Sequence, residues 1–205
     1  MGYDELKQDL VRAYDAGADA REGMDDAVWK AAERTRFAAR LREAGASRLL
    51  EIGAGHGVSG RYFADEGFGV TCVDLSPALV ALCRDKGLDA EVMDFGDLAF
   101  ADGAFDAVFG MNCLLHVPPA DLPGVLAEVR RVLAPGGLFY WGQYGGQDFT
   151  GVWEADRYEP KRFFSFLTNE RLQRIAEEHF TVVEANFVAL EGKVNQYQGL
   201  ILQSP

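Results

Sequence analysis

Apolar residues fall along this chain in two rhythms. Over the first 45 residues they recur at helical spacing. Leu6, Leu10, Val11 and Ala13 make a short stripe, and Val28, Trp29, Ala32, Phe37, Ala38 and Leu41 a longer one over 25–43, with Gly45 placed to end it. Further on, short apolar runs alternate with amphipathic stretches. The runs at 48–52, 69–73, 90–93, 105–111 and 138–142 read as buried strands, and 58–66, 77–86 and 119–133 as helices. Ser76 ahead of Pro77 signals a helix start, and Ala134-Pro135-Gly136-Gly137 a stop. Strands alternating with helices of this length predict right-handed βαβ units and a doubly wound parallel sheet.

The tail changes character. Residues 143–160 are glycine-rich and read as irregular, with Tyr144, Phe149, Trp153 and Tyr158 scattered through them. Thr168 predicts the cap of a helix reaching about residue 178. Two β-type runs, 180–190 and 196–203, can pair antiparallel through Glu191-Gly192-Lys193 and close one edge of the sheet. The expected organisation is one domain over 1–205: a helical cap (1–45), a core (46–142), and a loop, helix and hairpin on the far side (143–205).

Composition narrows the function classes. At 48% hydrophobic and 25% charged, the chain can build a core and is neither disordered nor collagen-like. A net charge of −12 repels nucleic-acid backbones and anionic lipid, so neither nucleic acid nor a membrane is an expected partner. The three cysteines include no C-x-x-C pair, which fits a reduced compartment. The start, MGYDELKQDL, is not a signal peptide, and no apolar run reaches membrane-spanning length, so a cytoplasmic location is expected.

The most informative stretch is Leu49-Leu50-Glu51-Ile52-Gly53-Ala54-Gly55-His56-Gly57. An apolar strand ends in three alternating glycines and enters a helix, as a tight turn against a ligand requires. A dinucleotide fingerprint, G-x-G-x-x-G, is broken by Val58 at its last glycine. Asp74, at the end of the second strand, can accept hydrogen bonds from both ribose hydroxyls, or it can simply cap a helix. Asp94 and Phe95 follow the third strand, where an acid and an aromatic can hold the amino group and face of an adenine.

The glycine loop, Asp74, Asp94, the FDAVFGMNCLLHV run and EVRRVLAPGGLFYW together resemble a class I S-adenosylmethionine-dependent methyltransferase over residues 47–142. The resemblance implies a Rossmann-like, doubly wound seven-stranded sheet of order 3-2-1-4-5-7-6 with strand 7 antiparallel. It implies S-adenosylmethionine as cofactor and a small-molecule acceptor. By the same resemblance Glu51 and Gly53 face the methionine moiety, Gly55 and Gly57 the nucleoside, and Ala54 is a further cofactor-binding residue. Asp74 holds the ribose, Leu75 packs on adenine, Asp94 and the Phe95 amide bind its edge, and the backbone near Gly110–Asn112, Met111 included, receives the ammonium. Tyr14 is expected to close over the methionine end. A frequent LHH motif reads Leu114-Leu115-His116 here, so one of its two histidines is missing.

Methyl transfer from a sulfonium is an in-line displacement, so alignment and exclusion of water do most of the work. A protonated acceptor also needs a base, and His116 is the candidate; a structural histidine at a helix entry is the plainer reading. Arg157, Lys161 and Arg162 form a basic cluster that can meet an acceptor carboxylate or pair with nearby acids. Two other functions share these features: a non-catalytic nucleoside-binding or partner subunit, and a nicotinamide oxidoreductase. Val58 and the Asp94-Phe95 pair speak against the second.

Overall fold

The computed structural model describes residues 2–22, 27–191, 194 and 196–205. Its N-terminal helices are α1 (Tyr3–Ala16), α2 (Ala18–Glu22) and α3 (Val28–Glu43). Then come β1 (Arg48–Ile52), α4 (Val58–Asp65), β2 (Gly69–Asp74), α5 (Pro77–Asp85), β3 (Asp89–Val92) and β4 (Phe105–Met111). A 3-10 turn (Leu114–His116) leads to α6 (Leu122–Val132) and β5 (Leu133–Gly145). The remainder is β6 (Phe149–Val152), β7 (Phe163–Phe166), α7 (Asn169–Glu177), β8 (Thr181–Ala189) and β9 (Gln196–Gln203).

Seven strands form one sheet in the order β3-β2-β1-β4-β5-β9-β8, and β6 and β7 form a separate two-stranded ribbon. The first five are mutually parallel, while β9 runs antiparallel to both neighbours. This is the expected order with the ribbon inserted ahead of the last two sheet strands. Both faces of the sheet are covered, so its strands alternate between two apolar layers rather than between oil and water. Leu50, Val108, Phe139 and Leu200 pack with α6 and α7 on one side. Leu49, Phe109, Tyr140 and Ile201 meet Phe37, Leu41 and Phe63 on the other.

Three elements depart from the sequence reading. β5 starts at Leu133, so the Ala134–Gly137 segment read as a stop lies within its span, where its register against β4 shifts between Phe105 and Ala107. α6 begins three residues later than expected, after a turn led by Pro118 and Pro119. The stretch read as irregular holds β6, whose aromatic and glycine-rich sequence pairs with Phe163–Phe166. Asp25, near the start of the long helical stripe, and Gly192-Lys193 of the hairpin turn lie outside the described residues. β1 sits where the strand order reverses, the position at which open α/β sheets hold ligands beyond their strand ends.

Candidate cofactor cavity

The loop after β1 is built on left-handed glycines: φ is +59° at Gly53, +58° at Gly55 and +80° at Gly57. Their surroundings differ. A Cβ at Gly53 would lie 2.4 Å from Cys113 Cβ, and one at Gly57 2.9 Å from Leu88. At Gly55 the nearest atom is Arg21 Nη2 at 3.8 Å, so this backbone stays open. Gly57, the N-cap of α4, packs beneath the loop rather than against the cavity.

Asp74 accepts the Gly55 amide at 2.8 Å and the Ser76 amide at 2.9 Å. One carboxylate thus fixes both the glycine loop and the entry to α5. Burial raises its pKa, and the two amides oppose that rise. Ser76 caps α5 by accepting the Leu79 amide at 3.2 Å, while its hydroxyl donates to Asp15 of α1. Asp15 also accepts the Ala78 amide at 3.2 Å, which ties the first helix to the start of α5. Glu51, at 4% exposure, is pushed up to about 8 by burial; a Cys72 thiol donating at 3.6 Å and nearby Arg34 offset part of the rise.

These groups converge. Of the residues read as cofactor contacts, all but Gly57 and Asp94 line one cavity, and His116 lines it too. Asp94 instead accepts Lys7 Nζ and the Gly96 amide, each at 2.8 Å, so its carboxylate anchors α1 to the end of β3. Phe95, beside it, contributes the aromatic wall. Sequence reasoning missed Arg21, Lys30 and Arg34, which line the cavity from α2 and α3. No local motif marks them; helical packing alone brings them over the sheet. Among the described residues, Arg21 Nε is buried with no hydrogen-bond partner.

His116 is buried, with both ring nitrogens engaged. Nδ1 lies 2.7 Å from the Phe163 carbonyl, which can only accept, so Nδ1 carries the proton. Nε2 therefore accepts, and the Tyr14 hydroxyl at 2.7 Å donates to it. That hydroxyl in turn accepts from Arg162 Nη1 at 2.8 Å, and Arg162 is gripped by Asp156 at 2.7 and 2.8 Å. Burial first, and the Arg162 charge second, hold the imidazole down at about 3. The basic cluster read from the sequence thus divides: Arg162 pairs with Asp156, and Lys161 with Glu159 at 3.3 Å. Among the described residues no three His, Cys, Asp or Glu side chains gather as a metal site, and no helix is long and apolar enough to cross a membrane.

A seven-stranded sheet of this order, with a glycine loop after β1 and a buried acid near the end of each of β1 and β2, defines a class I methyltransferase fold. Residues 49–137 match the family model described as a methyltransferase domain. The demethylmenaquinone methyltransferase of Tropheryma whipplei is 32% identical over 132 residues, covering 62% of this chain and 53% of that protein. A ubiquinone biosynthesis O-methyltransferase of Xanthomonas oryzae is 40% identical over 109 residues, covering 50% and 44%. The chain spans about half the length of these curated relatives. Among solved structures, the 1,6-didemethyltoxoflavin-N1-methyltransferase of Burkholderia thailandensis, crystallised with 1,6-didemethyltoxoflavin and S-adenosylhomocysteine, shares the fold. Its TM-score is 0.74 at 22% identity, over 98% of this chain and 88% of that one.

Proposed function

We propose that this protein transfers a methyl group from S-adenosylmethionine to an oxygen or nitrogen of a small molecule. The observation that carries the reading is one cavity that joins an open Gly55 backbone, two buried carboxyls and an aromatic wall. These residues suit the cofactor's parts. Asp74 keeps lone pairs for ribose hydroxyls beyond its two amide bonds, Leu75 and Phe95 give adenine an apolar slot, and Arg21 offers an unused donor for a carboxylate. Glu51 suits a cation, since a buried acid ionises most easily beside a positive charge.

When bound, the cofactor supplies an electrophilic methyl on a sulfonium. The chain's own contribution is alignment and exclusion of water: α1 closes over the sheet edge through Lys7–Asp94, Asp15–Ser76 and Tyr14–His116. We assign His116 as the base, reached through the Tyr14 hydroxyl, which passes its proton to Nε2 as it takes one from the acceptor. A site this dry and this close to Arg162 makes it a weak base, so alignment contributes the larger share. The relatives' names support a small-molecule acceptor.

Calorimetric titration with S-adenosylmethionine, S-adenosylhomocysteine and, as control, NADH tests the reading. Micromolar binding of the first two is expected, weakened by about 2 kcal/mol in Asp74→Asn as hydrogen bonds to a charged acceptor are lost. Tight NADH binding with no response to S-adenosylmethionine overturns it.

A further inference from the structure

The hydrogen bonds around Tyr14 run in one direction. They start at Arg162, cross the Tyr14 hydroxyl and the His116 ring, and end on the Phe163 carbonyl. Chemistry fixes both ends: a guanidinium has nothing to accept with, and a backbone carbonyl has no hydrogen to give. Every bond between them therefore points the same way. The Tyr14 proton is committed to His116 Nε2, and one lone pair of its oxygen to Arg162 Nη1. One lone pair is left, on a residue that lines the cofactor cavity together with His116. Arg162 is firmly held for this task. Its side chain is 12% exposed, Asp156 grips Nε and Nη2 at 2.7 and 2.8 Å, and the guanidinium lies 4.0 Å from the Tyr158 ring centre.

We propose that Arg162 is a positioning residue, that with His116 it makes Tyr14 an obligate hydrogen-bond acceptor toward the cavity, and that the group methylated there is a neutral hydroxyl. Methylation rests on the reading above; the hydroxyl rests on the direction of the bonds. An ether, carbonyl or carboxylate oxygen meets Tyr14 lone pair to lone pair. An ammonium brings hydrogens, but Arg21 and Arg162 each lie 5.1 Å from the Tyr14 ring centre, and even with Asp156 beside Arg162 they are poor neighbours for a cation. A neutral amine attacks through a free lone pair and has no use for a base at that moment. A hydroxyl needs one. As its oxygen bonds to the methyl carbon and the carbon–sulfur pair stays on sulfur, its proton passes to Tyr14 and the Tyr14 proton to His116 Nε2. The positive charge lost at sulfur then rests on the imidazole, where Asp156 offsets part of the Arg162 charge.

The test is an NMR titration, with and without S-adenosylhomocysteine, using phenol, aniline, benzylamine and fluorobenzene, small rings that differ in the group they present. Phenol should bind at least tenfold tighter than fluorobenzene, and ahead of both amines. Tyr14→Phe should remove most of that ratio. Arg162→Gln should reduce it and Arg162→Lys restore it, because an ammonium also only donates. Nitrogen chemical shifts of labelled histidine need neither ligand nor variant, and should show His116 protonated at Nδ1 with Nε2 accepting. A proton on Nε2 instead, a ratio unchanged in Tyr14→Phe, or preference for an amine or fluorobenzene overturns the proposal. A phenol preference that follows Tyr14 without any S-adenosylhomocysteine binding would keep the site and sink the methyltransferase reading. Cofactor binding without the phenol preference would do the reverse.

Discussion

His116 is held in one tautomer by a backbone carbonyl on one side and a phenol on the other, so its role is set by neighbours far away in the chain. His116→Ala is expected to lower turnover about 10²-fold, the low end for a general base, with cofactor affinity nearly unchanged. Single-turnover rates with saturating cofactor check this, and a wild-type rate would leave His116 a purely structural residue. Glu51 gives a prediction with a definite sign. Its ordinary pKa is 4.5 and its folded value about 8, so between those values the folded state holds a proton that the unfolded state has released. Stability from this group is present at low pH and falls as pH rises from about 4.5 to 8. A bound cation reverses the preference, so binding at pH 7 should release a proton and tighten as pH rises toward 8. Calorimetry in buffers of different ionisation enthalpy reads that proton, and Glu51→Gln should abolish it.

At the level of elements, the strand–loop–helix unit around β1 separates two uses of glycine. Gly57→Ala forces a left-handed alanine against Leu88 and should cost about 2 kcal/mol or more in denaturant unfolding. Gly55→Ala meets no clash and should cost about 1 kcal/mol of stability, yet weaken cofactor binding more than Gly57→Ala does. This unit was legible in the sequence because buried parallel strands are unbroken apolar runs punctuated by glycine, and β1 and β4 fall on the residues read. The ribbon was not: Phe149-Thr150-Gly151-Val152 has neither alternation nor length, and its pairing comes from Phe163–Phe166 beyond a loop. For the same reason the cavity's acids were readable, each at a strand end, while Arg21, Arg34 and the Arg162–Tyr14–His116 chain were not. In that chain Tyr14 is more than a hundred residues from each of its partners, and Arg21 and Arg34 arrive from helices that carry no local motif.

Across the whole molecule, the charge of −12 gives no guide to the cavity, whose wall gathers Arg21, Lys30 and Arg34 beside its carboxyls. Because α1 is tied to the β3 end by Lys7–Asp94 and to α5 by Asp15 over the cavity, cofactor binding should tighten the fold. S-adenosylhomocysteine at a hundred times its Kd should add about 2.7 kcal/mol and raise Tm by about 5–10 °C in a chain this size. An unmoved Tm would show that the cavity does not bind it. Strand order has a further result, in the biosynthesis of the chain. β9 follows every other strand of the sheet in the sequence yet lies inside it, between β5 and β8. While residues 196–203 are still within the ribosome, β5 offers the backbone of Leu138–Trp141 as a bare apolar edge, open to any extended chain nearby. For this protein the vulnerable interval lasts until residues 196–203 emerge, and it closes when one internal strand slides into the gap kept for it.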